Sequence, residues 1–219
     1  MKKRLCKEEF EYEDIVTWSD LNEDQKDYVV DHAFEFGSLN WIWEFYNESL
    51  MEWYDIDKSE IVKKYEKQGL SINSDKMYWQ DSSQGPYPEW NLGTVFDTTS
   101  VGNSNDTFAD ITFSGRSTDV EYEIDLYYFD EEEQEFIYEY SIIDIDDLSD
   151  PKYHLTTEFI EEIKSKIDLA QQFIDEIWDL IYNVCTSYPD DDYIRGELDA
   201  YSDDDYMIID EYSAKPIKA

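Results

Sequence analysis

A helical stripe running without a break from Thr157 to Val184 constrains this chain more than any other stretch. Phe159, Ile163, Ile167, Ala170, Ile174, Ile177, Ile181 and Val184 follow at spacings of three or four, which places them on one face of a helix. At about 1.5 Å per residue such a helix is roughly 40 Å long, enough to cross a whole domain. Thr156 stands where it can cap the first turn, Leu155 and Ile160 can staple it, and Glu158 favours the positive end of the helix dipole. A face of this length requires a partner to cover it.

The partner has to come from an aromatic chain with an extreme charge. Of 219 residues, 41% are hydrophobic and 17% aromatic, so a ring-rich core is available. Against 55 Asp and Glu stand 17 Lys and Arg, giving a net charge of -38. Self-repulsion of that size opposes compactness. Adaptation to high salt fits poorly, because most of the basic residues are Lys and the chain is crowded with Tyr, Phe and Ile. Direct binding of nucleic acid is disfavoured, since gripping phosphates rests on Lys and Arg. A basic protein is the expected partner. Two cysteines, Cys6 and Cys185, make no disulfide framework, so both are expected as thiols in a reducing cytoplasm. No run of the sequence has the length and apolarity of a membrane span or a secretory signal, so no membrane partner is expected.

The remaining pattern predicts an α+β fold: an antiparallel sheet packed against the long C-terminal helix and an aromatic N-terminal helical region. One domain is expected over 1–212, with a frayed tail over 213–219. A strand from Phe10 to Trp18 leads to a helix capped by Ser19 or Asp20 and stopped at Gly37, with Tyr28, Val29, His32, Ala33 and Phe36 as its stripe. A second helix follows from Leu39 to Trp53, and a third starts at Asp57 and stops at Gly69. Strands are expected over Met77–Gln80, Gly93–Thr98, Ala109–Phe113, Thr118–Phe129 and Glu135–Ile143, with Val101–Thr107 as a loop. After Pro189 a short helix should carry Ile194 and Leu198, and Met207–Ile209 reads as a last strand.

Motifs for chemistry are sparse. His32 and His154 are the only histidines, no cysteine pair has zinc spacing, and the Asp clusters lack the order of a calcium loop, so neither metal nor cofactor is expected. There is no nucleophile elbow and no Gly-rich phosphate loop, and with so many acids a pair of carboxylates carries no information. The chain is expected not to be an enzyme.

The strand pattern is more specific. Asp119, Glu121, Glu123 and Asp125 alternate with Val120, Tyr122, Ile124 and Leu126, so one face carries carboxylates about 6.8 Å apart. The following strand repeats this more weakly, with Phe136, Tyr138, Tyr140 and Ile142 inward and Glu135 and Glu139 outward. No Lys or Arg lies between Ser117 and Pro151. A solvated face ordinarily mixes its signs. These six acids are the expected partner-binding surface, imitating a row of phosphates; a plain solvated face is the competing expectation.

The segment SSQGPYPEW, from Ser82 to Trp90, resembles the W-x-x-S-S-Q-G signature of a widespread bacteriophage protein family often labelled antitoxin-like. Trp79, Ser83, Gln84 and Gly85 match by position, while Pro86 and Tyr87 stand where the family has Asp-Gly. The opening WSDLNEDQK and the segment from Ile181 to Asp210 are similar to the family's first helix and its closing helices and strand. The resemblance implies a phage origin and an α+β fold. By charge the chain also resembles acidic phage proteins that imitate DNA to block host defence. The expected function is therefore an acidic inhibitor of a host defence protein with a basic surface. Two alternatives are an antitoxin-like neutraliser of a basic toxin and a small-molecule-binding or hydrolytic protein using the loop 82–90 with Trp79 and Trp90. The competing view of that loop is a Pro-stiffened turn whose rings cover one end of the sheet.

Overall fold

The computed structural model describes residues 18–33, 40–80, 86–103, 106–116, 118–201, 209–210 and 215–216. These fall into two compact units, one formed by 1–52 with 187–219 and the other by 53–186. The expected strand from Phe10, the stop at Gly37, the thiol of Cys6 and most of the C-terminal tail lie outside the described residues.

In the first unit, helix α1 (Glu23–Asp31) begins at Asn22. The Asn22 side chain accepts from the Gln25 backbone N–H, and the Gln25 side chain accepts from Asn22 in return. The expected cap at Ser19 or Asp20 is thereby corrected: a single 3-10 turn, Trp18–Asp20, fills those positions. His32 ends α1 half-buried, its ring stacked on the exposed Tyr28. Helix α2 (Asn40–Glu66) starts in this unit and ends in the other. Two helices were expected there, broken near Asp57. The capping signal at Asp57 and Glu60 is overridden, and the helix continues so that Tyr54, Val62 and Tyr65 are buried along one line. Trp53 and Phe45 of this helix are more than a third exposed.

The second unit holds the sheet. Strands β1 (Trp79–Gln80) and β2 (Tyr87–Pro88) form a short pair, followed by the one-turn helix α3 (Leu92–Val95) capped by Asn91. A strand was expected over Gly93–Thr98; the Asn91 carboxamide instead accepts from the Gly93 N–H and closes a helical turn. Strands β3 (Thr99–Asn103), β4 (Thr107–Ser114), β5 (Glu121–Asp130) and β6 (Glu135–Ile142) form an antiparallel sheet in the order β3-β4-β5-β6. Val101 to Asn103, expected as loop, belong to β3, where Val101 is buried opposite Ala109.

Helix α4 (Thr157–Thr186) is the stripe helix. Thr156 caps it through its hydroxyl, which accepts from the Phe159 N–H at 3.2 Å, and all eight stripe residues are buried. Rings tie the layers together: Tyr65 of α2 meets Phe173 of α4 at 5.3 Å, Phe173 meets Phe96 at 5.7 Å, and Phe96 meets Phe113 of β4 at 5.0 Å. Lys64 of α2 pairs with Glu176 of α4 at 2.5 Å, and the Tyr65 hydroxyl donates to the same carboxylate at 2.8 Å. Burial pushes Glu176 upward, but these two donors outweigh it and hold the carboxyl below its ordinary value. The second half of α2 and α4 thus pack on each other and on the sheet, an α+β arrangement as expected.

Helix α5 (Asp191–Tyr201) returns to the first unit, capped by Asp190, whose carboxylate accepts from the Tyr193 N–H. Ile194 and Leu198 join Trp18, Leu21, Val29, Val30, Ala33 and Ile42 in that unit's core. Arg195 pairs with Glu23 and Asp27 of α1, and the Trp18 indole donates to Asp199 at 2.6 Å. Strands β7 (Ile209–Asp210) and β8 (Lys215–Pro216) pair with each other.

Candidate functional site: the outer face of the sheet

Residues directly opposite in antiparallel strands share a face, so the register sorts the sheet into rows. Val101, Ala109, Ile111, Phe113, Ile124, Leu126 and Ile142 are buried on the inner face. On the outer face, Ser114 stands opposite Glu121 and Thr112 opposite Glu123. The next row crosses all four strands as Ser100, Asp110, Asp125 and Ser141. Beside it runs an aromatic row of Gly102, Phe108, Tyr127 and Tyr138, and beyond that Phe129 faces Phe136.

The six expected acids do not all share this face. Glu121, Glu123 and Asp125 lie on it, the first two exposed and the third half-buried. Asp119 is exposed but precedes the strand. Gln171 of α4 takes over the backbone there, accepting from the Val120 N–H at 3.0 Å and donating to the Thr118 carbonyl at 2.7 Å, so the chain leaves the sheet ladder. Gly115, with φ of 120°, makes the turn that permits it.

Glu135 and Glu139 are displaced by a bulge. The register shifts between Leu126 and Tyr127: Leu126 pairs with Tyr140 but Tyr127 pairs with Tyr138, and Glu139 is the extra residue. One extra residue reverses the faces of everything beyond it. Phe136 and Tyr138, expected inward, therefore stand on the outer face, and Glu135 shares the side of Asp130 and Tyr128. The charge of Glu139 acts on the Tyr128 phenol, which burial first and Glu139 second push up to about 12. Only Tyr140 and Ile142 of the expected inward set face the core.

Asp110 is the acid that the expected set lacks, although the alternation of Phe108, Asp110, Thr112 and Ser114 against Ala109, Ile111 and Phe113 carries the signal. Its neighbour on β3 offers a hydroxyl. Ser100 donates to Asp110 at 2.5 Å and Ser141 donates to Glu123 at 2.5 Å. Among the described residues, no Lys or Arg forms an ion pair with Asp110, Glu121, Glu123 or Asp125. Desolvation, then the charges of Asp110 and Asp125, push the Tyr127 phenol above its ordinary value.

The residues that carry the resemblance divide. Ser83, Gln84 and Gly85 lie outside the described residues. Trp79 is half-buried against Tyr54, with ring centroids 6.0 Å apart, and Trp90 is buried edge-on to Trp178 of α4 at 6.5 Å. Both indoles thus pack against helices. An open groove of about 460 Å³ is lined by Asp57, Glu60, Ile61, Lys64 and Glu176, and its lysine is taken by Glu176. Among the described residues, no group of three His, Cys, Asp or Glu side chains is placed to hold a metal ion, and no helix is long and apolar enough to cross a membrane. Comparison with protein-family models, curated proteins and solved structures finds no match.

Proposed function

We infer that this protein is an acidic inhibitor whose outer sheet face docks on the basic, nucleic-acid-binding surface of another protein. The carrying observation is the concentration of Asp110, Glu121, Glu123 and Asp125 on one face with serine and threonine neighbours and no basic partner among the described residues. Carboxylates without a basic partner at about 6.8 Å intervals along a strand repel one another, and a cationic surface docked on them relieves that repulsion. The target class that fits is a host defence protein or a toxin with a basic surface, and the reading takes the chain as phage-encoded.

The test is affinity capture from nuclease-treated bacterial lysate, comparing wild type with a variant carrying Asp110→Asn, Glu121→Gln, Glu123→Gln and Asp125→Asn. The reading expects a basic nucleic-acid-binding protein on the wild type alone, released by salt and displaced by added nucleic acid. Equal capture by the variant at low salt would overturn it.

A further inference from the structure

The outer face holds a second feature that a plain acidic face does not require. Beside the carboxylates lie five rings drawn from three strands. Phe108 and Tyr127 stack with centroids 4.4 Å apart and planes only 3° from parallel. Phe136 meets Phe108 edge-on at 4.9 Å and Phe129 at 5.3 Å, and Tyr138 meets Tyr127 at 5.7 Å. None of these rings is fully buried; Phe136 and Tyr138 are 40% and 52% exposed. Among the described residues the row is also open on its β3 side, because Gly102 faces Phe108 and a methyl group there would touch none of them within 4 Å. Aromatic surface of this kind left in solvent marks an interaction site.

Charge restricts what can cover it. Asp110 and Asp125 border the rings on one side, and the exposed turn residues Glu131, Glu132 and Glu133 follow Phe129 and Asp130 on the other. A second copy of a chain with net charge -38 is repelled from such a patch. A cation is attracted twice, by the carboxylates and by the negative faces of the rings. Between the two basic side chains, arginine fits better: its planar guanidinium lies flat on a ring while its edge N–H groups reach carboxylates, whereas lysine offers a compact, strongly hydrated charge. On β4 and β5 the carboxylate and the ring are two residues apart, Asp110 from Phe108 and Asp125 from Tyr127, about 6.8 Å, a span that one guanidinium lying between them can bridge.

We propose that Phe108, Tyr127 and Tyr138, together with the facing pair Asp110 and Asp125, form a docking site for an arginine-bearing segment of the protein partner. The site deepens the acidic-docking reading and rests on it. The acids supply attraction to any basic surface; the rings supply the choice of arginine over lysine.

Calorimetric titration with oligo-arginine and oligo-lysine peptides of equal length, at low salt, separates the two ideas. Wild type should bind the arginine peptide roughly tenfold more tightly. Phe108→Leu and Tyr127→Leu should erase that preference, weakening the arginine peptide far more than the lysine peptide, and Tyr127→Phe should keep it. Asp110→Asn with Asp125→Asn should weaken both peptides. Should a β4 or β5 variant fail to fold, Tyr138→Leu on the exposed edge strand carries the same comparison. Equal affinity for the two peptides, or a preference that survives loss of the rings, overturns the arginine site. In that event the acidic-docking reading still stands if the Asn variants weaken both peptides, and it falls too if they weaken neither. Concentration-dependent dimerisation of the wild type, abolished by Tyr138→Leu, would also overturn the proposal by making a second copy the occupant.

Discussion

Asp110 and Asp125 stand directly opposite each other on neighbouring strands, and the residues that flank them in the same row, Ser100 and Ser141, offer hydroxyls in place of a cation. Like charges at such a cross-strand position are destabilising, whereas the hydroxyl of Ser100 lessens the cost by donating to Asp110. The arrangement sacrifices some stability on a face where Lys or Arg would have restored it.

Asp125→Asn should therefore raise stability, by about 0.2–1 kcal/mol, the usual size of a cross-strand pair effect. Thermal melting at low salt reads this out, and the gain should shrink as salt screens the pair. A variant less stable than wild type at low salt would show that the pair is not repulsive.

The bulge at Glu139 makes a prediction that strand alternation alone reverses. Tyr138 is 52% exposed, while Tyr140 sits edge-on to Tyr153 at 4.9 Å and to Tyr128 at 6.0 Å. Tyr138→Ala should change stability by under about 1 kcal/mol, and Tyr140→Ala should cost more, on the order of 2 kcal/mol or above. Denaturant titration of both variants decides it; equal losses would mean that the register has no shift.

Ile174 lies at the middle of the α4 stripe and is fully buried. Ile174→Ala should cost about 2–5 kcal/mol, and Ile174→Asp should prevent folding because a buried carboxylate there has no partner. An unchanged melting temperature for either variant would remove the stripe from the core.

Alkaline pH should unfold the protein through its tyrosines. Burial first, then Asp55, pushes the Tyr54 phenol from an ordinary 10.0 up to about 12, and Tyr128, whose hydroxyl donates to the Tyr153 carbonyl at 2.7 Å, is raised to about 12 as well. A raised folded-state pKa means that the native state holds its proton more tightly than the unfolded chain. The stability this supplies is whole below pH 10 and is lost as pH rises from there through about 12. Ultraviolet titration of tyrosinate, followed alongside circular dichroism, should show these two phenols ionising late or together with unfolding; Tyr128→Phe should remove part of the alkaline loss.

The α4 helix was legible in the sequence because its signals are local. A period of three to four, a Thr cap and an acidic first turn act within a few residues and predict both the helix and its buried face. The same holds for the outer carboxylates of β5, since alternation with period two assigns a face wherever a strand is unbroken; Asp110 in β4 carries the same local signal but is not among the expected acids. Three features required the tertiary structure. The helix expected to break near Asp57 runs on, because burying Tyr54, Val62 and Tyr65 outweighs a capping signal of about 1 kcal/mol. Asp119 leaves the acidic row because Gln171, 51 residues away from Val120, captures the backbone before the strand begins. Phe136 and Tyr138 join the outer face because a single extra residue, Glu139, reverses the parity of β6. Burial, a backbone bond to a distant side chain and cross-strand register each act between segments apart in sequence, and sequence pattern reports only local preference.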